Sequence, residues 1–414
     1  MVRLGEVEFE CVRCGSRIRS GGDEDSVVCT RCGDGLQVLP DLSSLSYDLV
    51  KRRWRSRPMG VWRYREMLPL NGGGEVTMNE GGTALLRVSV LGGSDLSVQA
   101  FVKNEGQNPT GSFKDRGMTV GVTRAKALDR RRVICASTGN TAASLAAYAA
   151  RAGLACLVLV PAGGIARGKL AQAIFHGAHV LRIRGSFDDA MRLVVEASKR
   201  LDAYVLNSIN PFRIEGQKTA AFEVFEQLGG QAPEWIVCPV GNGGNLAAYW
   251  KGFQELKAIR AIDRMPRLVG VQAEGAAPIA DAVRRNLEEI VPVPTPSTVA
   301  SAIRIGNPAN WRKTVRAIRE SEGLALKLPD EEILHVQELL ARREGIFVEP
   351  ASAAGVAGAI RLANEGTFEK GDRVMCVCTG HGLKDPEAAL RSYIETPAVE
   401  PTLDAVVAAV EAGP

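Results

Sequence analysis

No stretch of this chain stays apolar long enough to span a bilayer; Val158 to Val160 only ends a short strand-like run. Residues Met1 to Glu8 lack the apolar segment of a secretory signal, so a cytoplasmic location without a membrane partner is expected. Charge imbalance is also missing. A net charge of +4 over 414 residues gives no reason to expect nucleic acid or an acidic membrane surface as a partner. There is no internal repeat, and the glycine-rich stretch at Gly241 lacks the GxGxxG spacing of a dinucleotide site. What remains is a globular composition, 45% hydrophobic and 24% charged, in a chain long enough for two or three structural units.

From Val133 onward, short continuous apolar runs alternate with helical segments. The runs are Val133 to Ala136, Leu154 to Val160, Val180 to Arg184, Trp235 to Val240, Leu268 to Gln272 and Arg373 to Cys378. Strands of unbroken apolar character between helices predict a parallel sheet in an α/β architecture. Five cysteines, Cys135, Cys156, Cys238, Cys376 and Cys378, lie inside such runs and read as small buried thiols in a reducing compartment. The other four, Cys11, Cys14, Cys29 and Cys32, form two CxxC pairs, each followed by glycine. That spacing suits a zinc ribbon whose four thiolates leave no open metal position, so the Zn²⁺ would be structural; unrelated thiols or a redox CxxC are the alternatives. The basic run Lys51 to Arg57 reads as a solvated helix face with Trp54 turned inward, rather than as a nucleic-acid site. Leu403 to Ala412 reads as a short helix or a partly ordered end.

Lys114 stands where the apolar strand Val98 to Lys103 gives way to a helix. Pro109 and Gly111 mark the connection, Ser112 is the expected N-cap, and Phe113 to Asp129 is helical in composition. The positive end of a helix dipole, together with burial, lowers a lysine pKa and frees the amine to attack a carbonyl. An isolated lysine in such a turn is more often simply solvated. Two further strand-to-helix turns suit anions: Gly241-Asn242-Gly243-Gly244-Asn245, whose backbone N–H groups can close around a phosphate, and Ser137-Thr138-Gly139-Asn140-Thr141. Ser137 and Thr138 would also serve as helix caps.

The segment Asn104 to Met118 resembles the cofactor-lysine motif of threonine synthase, a fold-type II pyridoxal 5'-phosphate (PLP) enzyme. Further similar segments recur in family order from about Gly60 to Pro386, among them Gly60-Val-Trp-Arg-Tyr-Arg65, Glu80-Gly-Gly-Thr83, Pro161-Ala-Gly163, Ala302-Ile-Arg-Ile-Gly-Asn-Pro308, Glu349-Pro-Ala-Ser-Ala-Ala354 and Cys378-Thr-Gly-His-Gly-Leu-Lys-Asp-Pro386. The resemblance implies a tryptophan synthase β-like fold of two parallel-sheet α/β domains. A zinc-ribbon segment over 1–45 would precede a catalytic region over 46–414, with a mobile small domain over about 115–210.

It further implies that Lys114 carries PLP, that Gly241, Asn242, Gly243, Gly244 and Asn245 cradle its phosphate, that Asn140 bonds its 3'-oxygen, and that Thr379 faces its ring nitrogen. Ser137 and Thr138 would hold the substrate carboxylate. Asn207-Ser208-Ile-Asn210-Pro-Phe-Arg213 with Lys218 gathers hydroxyl, amide and cationic donors in one loop, and the resemblance implies that Ser208 and Arg213 take the γ-phosphate of O-phospho-L-homoserine, with Thr141 and Asn242 nearby. The implied reaction is γ-elimination of phosphate and β-addition of water to give L-threonine, by a homodimer. His381 is read as ordering its loop, and Gly243 stands where many relatives have alanine, a departure expected to leave phosphate binding intact. Alternatives are a threonine or serine dehydratase, a phosphoserine-dependent cysteate synthase, or an inactive zinc-ribbon binding protein.

Overall fold

The computed structural model describes residues 7–19, 27–70, 74–90, 98–162, 167–390 and 398–411. Residues 1–6, which bear on the secretory-signal expectation, and Gly163 of the Pro161-Ala-Gly163 segment lie outside the described residues. The first three strands, β1 (Glu8–Cys11), β2 (Arg17–Arg19) and β3 (Leu36–Leu39), form a small antiparallel sheet in the order β2-β1-β3. β4 (Leu85–Arg87) and β5 (Gln99–Asn104) follow. Next come β6 (Arg132–Ala136), β7 (Ala155–Pro161), β8 (His179–Ile183) and β9 (Ala203–Val205), an all-parallel sheet in the order β8-β7-β6-β9. β10 (Trp235–Pro239), β11 (Arg267–Ala273), β12 (Leu324–Leu328) and β13 (Arg373–Cys378) complete a six-stranded sheet in the order β12-β11-β10-β13-β5-β4. Only its edge strand β4 runs antiparallel.

Every residue of β10 is buried, as strands covered on both faces require. Ile236, Cys238, Met375 and Val377 face one core with Leu246, Tyr249 and Phe253 of the helix Gly244–Ala258. The alternate residues Val237, Val269 and Cys376 meet Ala353, Val356 and Ala357 of the helix Pro350–Asn364. The smaller sheet repeats the sandwich. Val133, Cys135 and Val158 pack with the helix Asn140–Ala152, and Ile134, Ala136 and Leu159 with the helix Phe187–Leu201. Trp54, on the basic helix Tyr47–Arg55, has no exposed surface and stacks on Phe222 at 5.9 Å between ring centroids.

Strand order reverses at β10 in the large sheet and at β6 in the small one. In open parallel sheets, loops beyond the carboxyl ends at such reversals form the ligand crevice. The chain places the turn at Gly241 after β10, Thr379 after β13, the Lys114 loop after β5 and Ser137 after β6. The antiparallel sheet sits against this body through Phe9, Leu36 and Val38, which cluster with Val120 and Phe212.

Candidate active site

Lys114 opens the helix Lys114–Ala127, its Nζ 4.1 Å from the Phe113 ring centroid. Burial lowers its pKa from 10.5 to about 7, and the Arg213 charge pushes the same way against the opposing pull of Glu349 and Cys238. The amine is therefore available near neutrality. Ser112 does not cap the helix as expected. Phe113 takes the cap position in a helical conformation, and the buried Ser112 hydroxyl has no partner. An orphan hydroxyl beside a free amine marks a place built for something else.

Arg213 lies on a second helix, Pro211–Gln217, which Asn210 starts by accepting the Phe212 N–H at 2.9 Å, with proline at the first position. The two helices touch through glycines. A Cβ at Gly216 would come 1.8 Å from the Arg116 carbonyl oxygen, and one at Gly117 would come 2.8 Å from that of Arg213. Arg213 is 2% exposed, and its only described partner is Thr141, whose Oγ1 accepts from Nη2 at 3.4 Å. Its Nε and Nη1 are unpartnered, and burial lowers its pKa to about 10. A buried guanidinium with two unpartnered nitrogens is strongly disfavoured unless an anion fills the site.

Lys218 does not join this cluster, contrary to the reading of a single donor loop. Its Nζ bonds Glu215 at 2.5 Å and Glu255 at 2.8 Å, away from Arg213. The segment is helical rather than a loop, and side chains five apart on a helix diverge by about 140°. Asn207 and Asn210 are also structural. Asn207 exchanges two bonds with the backbone of Ala136, and Asn210 donates to the Val205 carbonyl. Ser208 stays partly exposed between them.

On the turn after β6, residues Ser137 to Asn140 are all partly exposed to the crevice, while Thr141 is buried against Arg213. Ser137 Oγ accepts the Gly139 N–H at 3.3 Å, a local turn contact, and the Thr138 hydroxyl bonds no other described residue. Asn140 Nδ2 donates to both carboxylate oxygens of Glu349, at 3.2 and 3.0 Å.

The glycine turn leads directly into the helix Gly244–Ala258, which puts N–H groups and the positive dipole end at its mouth. Gly241, Gly243 and Asn245 are buried, and Asn242 and Gly244 partly exposed. Asn245 Nδ2 points inward to Cys238 Sγ at 3.7 Å. Gly243 has φ of +83°, and a Cβ there would stand 2.1 Å from Thr314 Oγ1. Alanine at this position is not neutral in this chain: it would meet both the left-handed backbone and the Thr314 hydroxyl.

Glu349 is the residue that sequence reasoning passed over, although its segment carried part of the resemblance. Besides Asn140 it accepts from Thr379 Oγ1 at 3.3 Å, and Thr379 is also 3.0 Å from Ser352 Oγ. It thus gathers the two groups assigned to opposite parts of the cofactor. Burial raises its pKa, with Asn140, Lys384 and Lys114 acting the other way. The one available signal was a lone glutamate before a proline at a helix start, between apolar residues. His381 Nδ1 accepts the Leu383 N–H at 3.2 Å, which orders the loop. Beneath Lys114, Arg116 binds Glu105 and Glu223 within a fully buried ionic network that also holds Lys103.

Distant from the lysine in sequence, the Sγ atoms of Cys11, Cys14, Cys29 and Cys32 all lie within 4.8 Å of one another. Contacts of 3.4 Å (Cys11–Cys32) and 3.8 Å (Cys14–Cys29) approach the roughly 3.8 Å edge of a tetrahedron with bonds of about 2.3 Å. Gly15 and Gly33 take positive φ, and their N–H groups close back on the Cys11 and Cys29 carbonyls.

Residues 76–380 match the family model described as pyridoxal-phosphate dependent enzyme. The chain is 50% identical to the threonine synthase of Methanocaldococcus jannaschii over 94% of this chain and 96% of the relative. It is 48% identical to that of Methanosarcina acetivorans over 97% and 98%. Among solved structures it is similar to a fungal L-serine ammonia-lyase from Rhizomucor miehei, with a TM-score of 0.64 and 19% identity over 75% of this chain and 98% of that one.

Proposed function

Because the chain belongs to the threonine synthase family of pyridoxal-phosphate dependent enzymes, we propose that it converts O-phospho-L-homoserine and water to L-threonine and phosphate. The observation that carries this reading is Arg213, a buried guanidinium with two unpartnered nitrogens whose charge is felt at the Lys114 amine. The substrate of a dehydratase carries no phosphate for such a group to bind.

The pocket fits PLP. A buried amine near pH 7 suits its aldehyde, and the turn Gly241, Asn242, Gly243, Gly244, Asn245 at a helix N-terminus suits its phosphate. Asn140 would meet its 3'-oxygen and Thr379 its ring nitrogen. When bound, PLP supplies the electron sink that stabilises negative charge on the substrate carbon chain. Lys114 would take protons from Cα and Cβ and return them at Cγ, which becomes the methyl group, and at Cα. Ser137 and Thr138 orient the α-carboxylate through the turn after β6. Arg213, steadied by Thr141, grips the γ-phosphate with Ser208 and neutralises it as it leaves, and water adds at Cβ. Glu349 keeps Asn140 and Thr379 in position.

Cys11, Cys14, Cys29 and Cys32 hold a structural Zn²⁺, supported by their near-tetrahedral sulfur spacing. A mobile small domain over about 115–210, a homodimer and a cytoplasmic location complete the reading; no described helix is long and apolar enough to cross a membrane. The test is to offer the purified protein O-phosphohomoserine and, separately, O-phosphoserine with sulfite. Threonine with stoichiometric phosphate supports the proposal. Turnover of phosphoserine alone would move the activity to a cysteate synthase.

A further inference from the structure

The helix Trp311–Glu320 stands between the cysteine ribbon and the glycine turn and is gripped from both sides. On the ribbon side, Arg312 Nε donates to Asp34 Oδ2 at 2.8 Å and Lys313 Nζ to the Leu36 carbonyl at 2.8 Å. Asp34 follows the second knuckle, and its own carbonyl accepts the Cys29 N–H at 2.7 Å. On the other side, the Asn310 N–H donates to the Asn242 carbonyl at 2.9 Å, and Asn310 Nδ2 to the Ser208 carbonyl at 2.9 Å. Thr314 Oγ1 lies 3.0 Å from the Gly243 carbonyl oxygen and equally from the Asn310 carbonyl oxygen of its own helix, so its one proton serves one of them at a time. Asn310 is 5% exposed and Thr314 has no exposed surface. The ribbon core also reaches Phe212, next to Arg213, with ring centroids of Phe9 and Phe212 at 5.9 Å.

These bonds have a directional consequence. In a trans peptide the C=O of one residue and the N–H of the next point in opposite directions. Tying the Asn242 carbonyl to Asn310, and the Gly243 carbonyl to Thr314 as well as to the Ala247 N–H of its own helix, therefore turns the Gly243 and Gly244 N–H groups away from the helix Trp311–Glu320, into the turn that precedes the helix Gly244–Ala258. The donors of the cup are aimed by their outward-facing carbonyls. Asn310 adds the Ser208 loop to the same anchor.

We infer that Asn310 and Thr314 are positioning residues for the phosphate-binding site, held in register by the cysteine ribbon through Asp34 and Leu36; this rests on the proposed role of the cup and of Ser208. The ribbon is then part of the catalytic architecture rather than an appendage. Loss of its metal propagates to phosphate affinity by way of one helix.

The test uses the holoenzyme and three variants: Thr314→Val, which removes the hydroxyl at nearly constant volume, Asn310→Ala, and the paired Asp34→Ala with Lys313→Met. PLP release is followed by its visible absorbance without substrate, so that a wrong substrate assignment leaves this reading untouched. Inorganic phosphate serves as the second probe, by competition. Thr314→Val and Asn310→Ala should release PLP on the order of tenfold faster, as expected for one or two lost hydrogen bonds. KM should rise more than kcat falls, with the absorbance maximum unmoved. The ribbon-side pair should shift the same readouts in the same direction with its zinc retained, and chelation of the wild-type holoenzyme should mimic it. Unchanged PLP release and KM in Thr314→Val and in the ribbon-side pair would overturn the inference. So would a fall in kcat alone.

Discussion

Arg213→Met should separate stability from activity in opposite directions. In the unliganded protein, Arg213 buries a charge with two unpartnered nitrogens and one weak bond of 3.4 Å to Thr141. Methionine fills similar space without that desolvation cost, so the apoprotein should gain about 1–3 kcal/mol. The substrate phosphate meanwhile loses two charge-assisted hydrogen bonds worth about 1.5–3 kcal/mol each. The expected loss in kcat/KM is about 10²- to 10⁴-fold. A third signature follows from Lys114. The Arg213 charge is one of the causes holding the Lys114 amine near 7, so its removal raises that pKa. PLP capture requires the free amine, and its half-maximal pH should therefore move upward. Urea unfolding of the apoprotein, steady-state kinetics and pH-dependent PLP absorbance read the three effects. A destabilised apoprotein, or a kcat/KM within about threefold of wild type, which is less than 1 kcal/mol, would refute the assignment of Arg213 to the phosphate.

Lys114 itself sets a stability window. The unfolded lysine keeps its proton up to about pH 10.5 and the folded one loses it near 7, so apoprotein stability should rise with pH between these values, a slope that Lys114→Met removes. Glu349→Ala strands the Asn140 amide and the Thr379 hydroxyl and should cost about 1–3 kcal/mol in kcat/KM, while Glu349→Gln, which keeps one acceptor, should recover most of it. Equal losses in the two variants would instead require the charge. Gly243→Ala should weaken PLP binding in a reconstitution titration, because its Cβ would stand 2.1 Å from Thr314 Oγ1 on a left-handed backbone; PLP affinity equal to wild type would contradict that contact. Cys14→Ser should lower zinc content by mass spectrometry and the melting temperature together, and an unchanged protein would show that the four sulfurs hold no structural metal.

Signals confined to a few consecutive residues were readable. β13 appears at Arg373–Cys378 as expected, and the helices after the turns at Ser137 and Gly241 begin within two residues of the anticipated positions. Both depend on local apolar runs and glycine punctuation. Pairing between distant strands has no such local mark, so the reversal at β10 and the antiparallel edge strand β4 emerged only from the structure. Charged residues were the hardest to read, because sequence does not show what a charge meets. Arg213 and Lys218 looked alike, yet one is buried without an anion and the other sits between two carboxylates. Glu349 reveals itself only through Asn140 and Thr379, partners 209 and 30 residues away.

The glycine contact between the Lys114 and Arg213 helices acts as a ruler. With Gly216 too close to the Arg116 carbonyl for any side chain, the backbones meet at a minimum distance that substitution can only widen. The span from the Lys114 amine to the guanidinium proposed to hold the phosphate is thereby graduated in backbone rather than in side chains. A substrate is measured by how many carbons separate its amine from its phosphate. On the proposed roles of Lys114 and Arg213, length discrimination between phosphohomoserine and phosphoserine would belong to the packing of two helices, and a bulkier residue at 117 or 216 would recalibrate it.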